Sequence, residues 1–511
     1  MTPTVLHLFA GSGGCTLGFQ RAGFRSLGSL DFDAVACRDL ERLTGGPAFC
    51  RDIAVMEPAD LRDLTGGECP DVVVMSPPCL PADGLVLTSN GPRRIDTIIA
   101  GDKVLSHTGR YCSVAKVNTR LYRGIMYGLR LNGTVDVDTQ WYTSEHPLWV
   151  RRVVRGTDKI RTARAAIWMP SCQVRVGDLV GFPVTAARVG VAASFVASCG
   201  DPRCGGTRTL GRVRDLTEHA TSPALWALLG AYLGDGDRRA KRSYTIRWSV
   251  GPRHGEAYNL VVGALMAIGL PFHVESKSDR NVRICTDSRH LWLLCGRLGS
   301  SAAEKTIPED LMGLEDGLIE ALINGLRMTD GHDHGGGIWS IASISLPLLR
   351  GVQRLMLRFS NYGGIHRVLR AGRAVIEGRD VNVSDSYRIA FNDRPTKTCY
   401  KFEDGAVWLR VKKIHERETV EAVWNLEVDD DDTYCSPLIA THNCKSFSGC
   451  MPAQRARETR YVDMSQLATR GMFLALESWA PRRPKLILLE NVPRMQNRGA
   501  ELLARGAPAW P

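Results

Sequence analysis

The sequence predicts a multidomain chain: a doubly wound α/β fold split by an all-β segment, with an α+β unit nested inside that segment. Three observations carry this expectation. At the N-terminus "TVLHLF", "AGSGG" and "CTLGFQRAGF" read as strand, glycine loop and helix, the order in which a parallel sheet with crossover helices begins. Further on, the strand-like "DVVVM" runs into "SPPC" at Cys79, an unrelated pattern opens at once, and a loop-like "CKSFSG" resumes only at Cys444. Between them, two apolar helical runs, "LWALLGAYLGDGDRR" and "LIEALINGLRMTDGHDHGG", each stop at Asp-Gly, with Asp235 and Asp330 in equivalent places.

Composition sets the outer bounds. A chain of 511 residues exceeds one ordinary core and predicts about two to four domains. Hydrophobic content of 44% with 23% charged residues is that of a soluble globular protein. There is no apolar run of membrane-spanning length, and "MTPTVLHLFAGSGG" lacks the charged and apolar regions of a signal peptide, so the expectation is a cytoplasmic protein. The 15 cysteines show no regular framework and are read as free thiols. Net charge is +11, and residues 79–443 carry 48 Lys and Arg against 39 Asp and Glu, whereas the flanks carry 17 against 15. The basic middle predicts a polyanionic partner.

Taken in order, the glycine loop lets backbone N–H groups approach a ligand at a helix N-terminus. "FRSLGSL" ends at Asp31, at the distance expected of a carboxylate that binds ribose hydroxyls. "FCRDIAVM" then places Asp52, and "PDVVVM" supplies another buried parallel strand. From Cys79 onward, short β-branched runs alternate with Gly, Asn and Asp turns. "AVWNLEVDDDDTYCSPLIATHNC" closes this region with two strands leading to His442, Asn443 and Cys444. In the nested part, small residues let the two helices pack closely, which brings Asp235 and Asp330 together at a pseudo-twofold junction able to hold Mg²⁺. As the resemblance of the two Asp-Gly helices to the LAGLIDADG homing endonucleases implies, the strands "SYTIRWSV" and "YRIAFND" are expected to offer arginine and aromatic contacts to double-stranded DNA. "RRVVR" at 151–155 reads as an exposed strand edge, Asp429 to Asp432 as a solvated turn, and Cys199 with Cys204 as a turn bearing two thiols rather than a zinc site.

The motifs "LHLFAGSGGCTLGFQRAGF", "LDFDAVA", "RDI", "DVVVMSPPC", "CKSFSG" and "LILLENVPRM" resemble, in order, the first motifs of the cytosine-5 DNA methyltransferases. Joining Pro78 to Cys444 gives "SPPCKSFSG", which is similar to that family's catalytic loop. The interruption resembles an intein: Cys79 opens it, "YTSEHPLWV" supplies Thr143 and His146 in a Thr-x-x-His arrangement, and His442-Asn443-Cys444 closes it. Asn425 and Asp432 depart from the Asp and His that many members carry there. The Asp-Gly helices resemble the LAGLIDADG homing endonucleases, with Lys305 in "EKTIPEDL" as the basic residue near the phosphate. The expected domains are 1–78 and 444–511 (methyltransferase, Rossmann-like), 79–185 and 401–443 (Hint-like splicing domain) and 186–400 (endonuclease).

These resemblances imply roles. Cys79 attacks the Pro78 carbonyl, Thr143 and His146 assist, Cys444 takes over the thioester, and Asn443 cyclises with His442 as proton donor. Asp235 and Asp330 bind metal. After splicing, Cys444 is the nucleophile toward cytosine and Glu490 and Asn491 support it; Phe9, Gly11, Gly13, Asp31 and Asp52 line the S-adenosylmethionine site, and the base is flipped out. The family motifs stop after Glu490, so the expectation is a prokaryotic or phage methyltransferase that needs a second polypeptide for activity. Alternatives are an RNA cytosine-5 methyltransferase segment, and an inactive remnant whose insertion only binds DNA.

Overall fold

The structure, a computed structural model, describes residues 2–8, 10, 14–31, 34–51, 56–75, 79–144, 146–155, 161–199, 215–239, 244–278, 281–376, 379–394, 400–442, 478–479 and 484–489. The chain forms two compact units, one of residues 1–131, 138–183 and 408–511 and one of 132–137 and 184–407. No described helix is long and apolar enough to cross a membrane.

The first unit holds a five-stranded sheet whose order is Leu486–Leu489, Val72–Met75, Thr4–Leu8, Arg25–Asp31, Ala48–Cys50. All four pairings are parallel. The chain winds outward in both directions from Thr4–Leu8, which makes the gap between that strand and Val72–Met75 the switch point where open α/β sheets bind ligands. Leu6, Leu8, Leu30 and Val73 face one buried cluster with Leu61 and Trp479. Strand Leu486–Leu489 pairs in register with Val72–Met75 although more than 400 residues separate them. The two ends of the interrupted sequence therefore share one sheet.

The same unit holds a second, largely antiparallel sheet. Its backbone is the pairing of two long strands, Tyr111–Leu131 and Ala406–Val428, from Leu131 opposite Val411 to Val114 opposite Val428. Leu80 pairs with Trp424, and Leu148 with Thr441. These two registers bring the start and the end of the 79–443 segment onto one sheet.

Two sequence expectations fail here. The Pro147–Arg155 strand is not an edge throughout: Arg161–Pro170 pairs along one side, while Leu179–Pro183 and Ile439–His442 cover the other side as far as Arg151. Arg151 is buried with its guanidinium 4.2 Å from the Trp408 ring, and Arg152 reaches Asp178 at 3.4 Å. A charged run can line an interior strand when stacking and an ion pair satisfy each guanidinium. Nor is Asp429–Asp432 merely solvated. The Asp431 carboxylate accepts from Ser106 Oγ at 2.5 Å and Thr108 Oγ1 at 2.6 Å and pairs with Arg110. Burial opposes its ionisation, but these donors prevail and hold the carboxyl down at about 2.

The second unit repeats one plan twice. Helix Pro223–Asp235 leads into a sheet of order Gly236–Arg238, Thr245–Val250, Asn281–Asp287, His273–Ser278, and helix Asp316–Asp330 into one of order Gly331–Gly335, Ile338–Ser343, Ser386–Asn392, Gly364–Leu369. Each sheet runs first, second, fourth, third in chain order. The second copy carries an added hairpin, Gly372–Ile376 with Arg379–Val383. The boundaries differ from the expected 186–400 because residues 132–137 join this unit: Val135 is in its core, and the Gly133 carbonyl accepts from Ile365 N at 3.0 Å.

Candidate functional site

Cys79 is buried in a small cluster with Tyr122, Met126 and Val423. Its backbone is clamped by one residue from 64 positions away. The Cys79 N–H donates to Thr143 Oγ1 at 2.9 Å, the Thr143 hydroxyl donates to the Cys79 carbonyl at 3.0 Å, and Thr143 N–H donates to the same carbonyl at 3.0 Å. Strand Gln140–Thr143 delivers this side chain by pairing with Met126–Leu129. Ser171 Oγ donates to the Thr143 carbonyl at 2.7 Å and holds the turn from below.

The turn continues to His146, whose N–H donates to the Thr143 carbonyl at 3.0 Å. The imidazole is fully buried, stacked on Tyr142 at 5.2 Å and edge-on to Tyr434 at 6.3 Å. Neither ring nitrogen has a hydrogen-bond partner among the described residues. Burial, with a smaller contribution from His442, lowers its pKa to about 3, so the ring is neutral at physiological pH. A buried imidazole without partners costs folding free energy and is the kind of group kept for proton transfer.

His442 ends strand Ile439–His442, and its ring meets Trp168 edge-on at 5.1 Å. Trp168 also meets His107, 5.5 Å between centroids, whose Nδ1 is 2.8 Å from Thr433 Oγ1. Asn425, at a position where the resemblance leads one to expect Asp, is buried and accepts from the Tyr434 hydroxyl at 3.0 Å. Asp432 is buried too, with a left-handed backbone at φ 58°. Tyr142, Tyr434, Trp168 and His107 escaped the sequence reading because their roles come from register between distant strands. Asn443 and Cys444 lie outside the described residues, as do Phe9, Gly11, Gly13, Asp52, Glu490 and Asn491. Asp31 closes its strand opposite Cys50.

In the second unit, Asp235 and Asp330 end the two paired helices as expected. A Cβ on Gly230 would strike the Leu322 carbonyl, and one on Gly325 the Ala227 carbonyl. Each contact lies three residues before the other glycine, so the crossing is locally twofold. Burial raises the Asp235 carboxyl to about 6, the Asp330 charge adds to this and Lys305 opposes it; burial likewise raises Asp330. Lys305 is buried, and its ammonium donates to the Gly234 carbonyl at 2.6 Å. It thus caps the first helix beside the carboxylates rather than projecting outward. Most of the expected aromatic contacts to DNA are not presented: Tyr244 is half-buried, alternation along Thr245–Val250 turns Trp248 into the core and leaves Arg247 outward, and along Ser386–Asn392 it buries Tyr387 and Phe391 and exposes Arg388.

Comparison with known proteins adds three kinds of likeness. The family model of the C-5 cytosine-specific DNA methylases matches residues 4–82. An iron–sulfur cluster assembly SufBD family protein of Mycobacterium tuberculosis is 23% identical over 395 residues, 72% of this chain and 43% of that protein. The ATP-dependent DNA helicase Hel308 of Thermococcus kodakarensis is 23% identical over 433 residues, 75% of this chain and 37% of its own length. The chain therefore spans less than half the length of these relatives. The type II methyltransferase M.AplI of Arthrospira platensis is 38% identical over 77 residues, 15% of this chain and 20% of that one. Among solved structures, a variant of the homing endonuclease I-DmoI overlaps 34% of this chain and 89% of its own at 15% identity, with a TM-score of 0.26. Residues 4–82 are thus similar to C-5 cytosine-specific DNA methylases, and most of the remaining chain aligns with proteins of other kinds.

Proposed function

We propose that the chain is a self-splicing precursor of a DNA cytosine-5 methyltransferase, and that its excised segment, residues 79–443, carries a metal-dependent DNA-cleaving unit. The observation that carries the reading is the clamp of Thr143 on both backbone polar groups of Cys79, beside a buried, neutral, unpartnered His146. The relatives support it from another side. An iron–sulfur assembly protein and a DNA helicase have unlike activities, yet each aligns with about seven-tenths of this chain, the share that residues 79–443 make up. A segment found in hosts of unlike activity is one that moves independently of them.

The chemistry follows from the residues. His146, neutral in the resting state, accepts the Cys79 thiol proton, and the sulfur attacks the Pro78 carbonyl. Thr143 holds the amide, and His146 returns the proton to the departing Cys79 nitrogen, leaving a thioester. Cys444 displaces that thioester, the Asn443 side-chain nitrogen closes on its own carbonyl with help from His442, and an S-to-N shift leaves an ordinary Pro78–Cys444 bond. In the second unit, Asp235 and Asp330 are suited to hold Mg²⁺, since a cation relieves the repulsion and desolvation that raise both carboxyls; it would orient water for phosphodiester hydrolysis. Once a second polypeptide completes the ligated product, Cys444 and Glu490 would act on a flipped-out cytosine, with S-adenosylmethionine as the methyl donor.

Two variants test the order of steps. Cys79→Ala must leave no thioester and no ligated product, whereas Asn443→Ala must permit transfer and accumulate a branched chain, visible as a slow-migrating band that hydroxylamine resolves. Normal ligated product from either variant overturns the assignment.

A further inference from the structure

His273 and Glu275 stand two residues apart on one strand, and Cys285 lies directly opposite His273 on the next. One nitrogen, one oxygen and one sulfur from the three come within 4.8 Å of one another. Alternation along Asn281–Asp287 points Val282 and Ile284 into the core, which leaves Arg283 and Cys285 on the outer face. Cys285 is only 1% exposed, and it is absent from that core cluster.

We propose that His273, Glu275 and Cys285 form a binding site for a divalent transition metal of the zinc type, with three protein ligands and an open fourth position. Imidazole, carboxylate and thiolate are the donors that Zn²⁺ takes, at bond lengths that separate ligand atoms by about 3.3–3.6 Å. His273 Nε2 and Glu275 Oε1 already stand 3.5 Å apart. Charge favours the same occupant. The Glu275 carboxylate beside Cys285 places a negative charge at the site that a cation would offset. On binding, the S–H bond breaks, its proton leaves to solvent and a sulfur–metal bond forms, with no change of oxidation state. Of the nearby guanidiniums, Arg239 adds a positive charge at the site, Arg247 is committed to Asp237 at 2.5 Å, and Arg283 contacts Glu275 only at 3.8 Å. The latter is the contact that the metal displaces. This site is separate from Asp235 and Asp330, and it requires neither splicing nor DNA cleavage.

Cobalt(II) is the probe, because sulfur ligation gives a near-ultraviolet charge-transfer band that oxygen ligands do not. Titrated into the metal-free full chain carrying Cys79→Ala and Asn443→Ala so that it stays whole, Co²⁺ should produce that band at one equivalent, and Zn²⁺ should bleach it. Cys285→Ser should remove the band and one equivalent of binding. His273→Ala, a change at an exposed side chain that leaves the core intact, should weaken Co²⁺ affinity at least tenfold and decides the case if Cys285→Ser does not fold. Absence of a sulfur band in the unaltered chain, a band undiminished in Cys285→Ser, or unchanged affinity in His273→Ala overturns the proposal.

Discussion

Asp235 shows how a buried carboxylate carries a stability cost. Burial and the neighbouring Asp330 charge raise its carboxyl from 3.8 to about 6, so the folded chain penalises the ionised form. A group whose folded pKa is raised contributes stability that is present below its unfolded pKa and lost as pH rises through the folded one. Between about pH 4 and 6 the metal-free protein therefore loses stability through this residue, and above pH 6 the full penalty stays. Asp235→Asn should accordingly raise the urea midpoint of the second unit's transition at pH 8, with the gain shrinking toward zero at pH 4. Mg²⁺ should stabilise the unaltered chain at pH 8 and lose its effect below about pH 6, where protons compete for the carboxyl. A midpoint difference between the two proteins that does not change from pH 4 to pH 8 contradicts the assignment.

At the scale of elements, the crossing of Pro223–Asp235 with Asp316–Asp330 depends on two glycines whose missing side chains admit the partner's backbone. Leu322 and Ala227 offer carbonyls there, and a carbonyl within a helix cannot move aside as a side chain can. Gly230→Val should destabilise the second unit by about 3 kcal/mol or more, read as a lower midpoint of its unfolding transition, and Gly263→Val, where a Cβ meets nothing, should cost far less. Equal losses at the two positions contradict the close crossing. These helices were legible in the sequence because small residues and a terminal Asp-Gly are local signals. So were the strands Thr4–Leu8, Arg25–Asp31 and Val72–Met75, each a short apolar run between turns. Arg151 on an interior strand, Trp248 turned inward and residues 132–137 captured by the second unit were not legible. Their placement depends on which distant strand pairs alongside, and a one-residue change of register reverses every side chain. The aromatic enclosure of His146 was hidden for the same reason.

At the scale of the whole molecule, the nested order of the sequence corresponds to adjacent strand ends. The Gly177 N–H donates to the Val411 carbonyl and the Val411 N–H to the Asp178 carbonyl, while Val184 N–H donates to the Gly405 carbonyl at 2.9 Å. The chain thus leaves and re-enters the antiparallel sheet through neighbouring strands, the situation in which a domain insertion strains its host least. The same economy holds at the outer boundary, where Leu80 and Thr441 sit on one sheet and residues 72–75 pair with 486–489 across the whole insertion. On the proposed reading, the nucleophiles and proton carriers that splicing needs all belong to one chain. The central claim, autonomous splicing, is tested most directly by intact-mass spectrometry of the purified protein after expression in an unrelated host. The account predicts that the 56.2-kDa chain is replaced by two species, residues 79–443 as one polypeptide and a shorter chain in which Pro78 is bonded to Cys444. Persistence of the 56.2-kDa chain alone, or flanking fragments that are released but not joined, contradicts it.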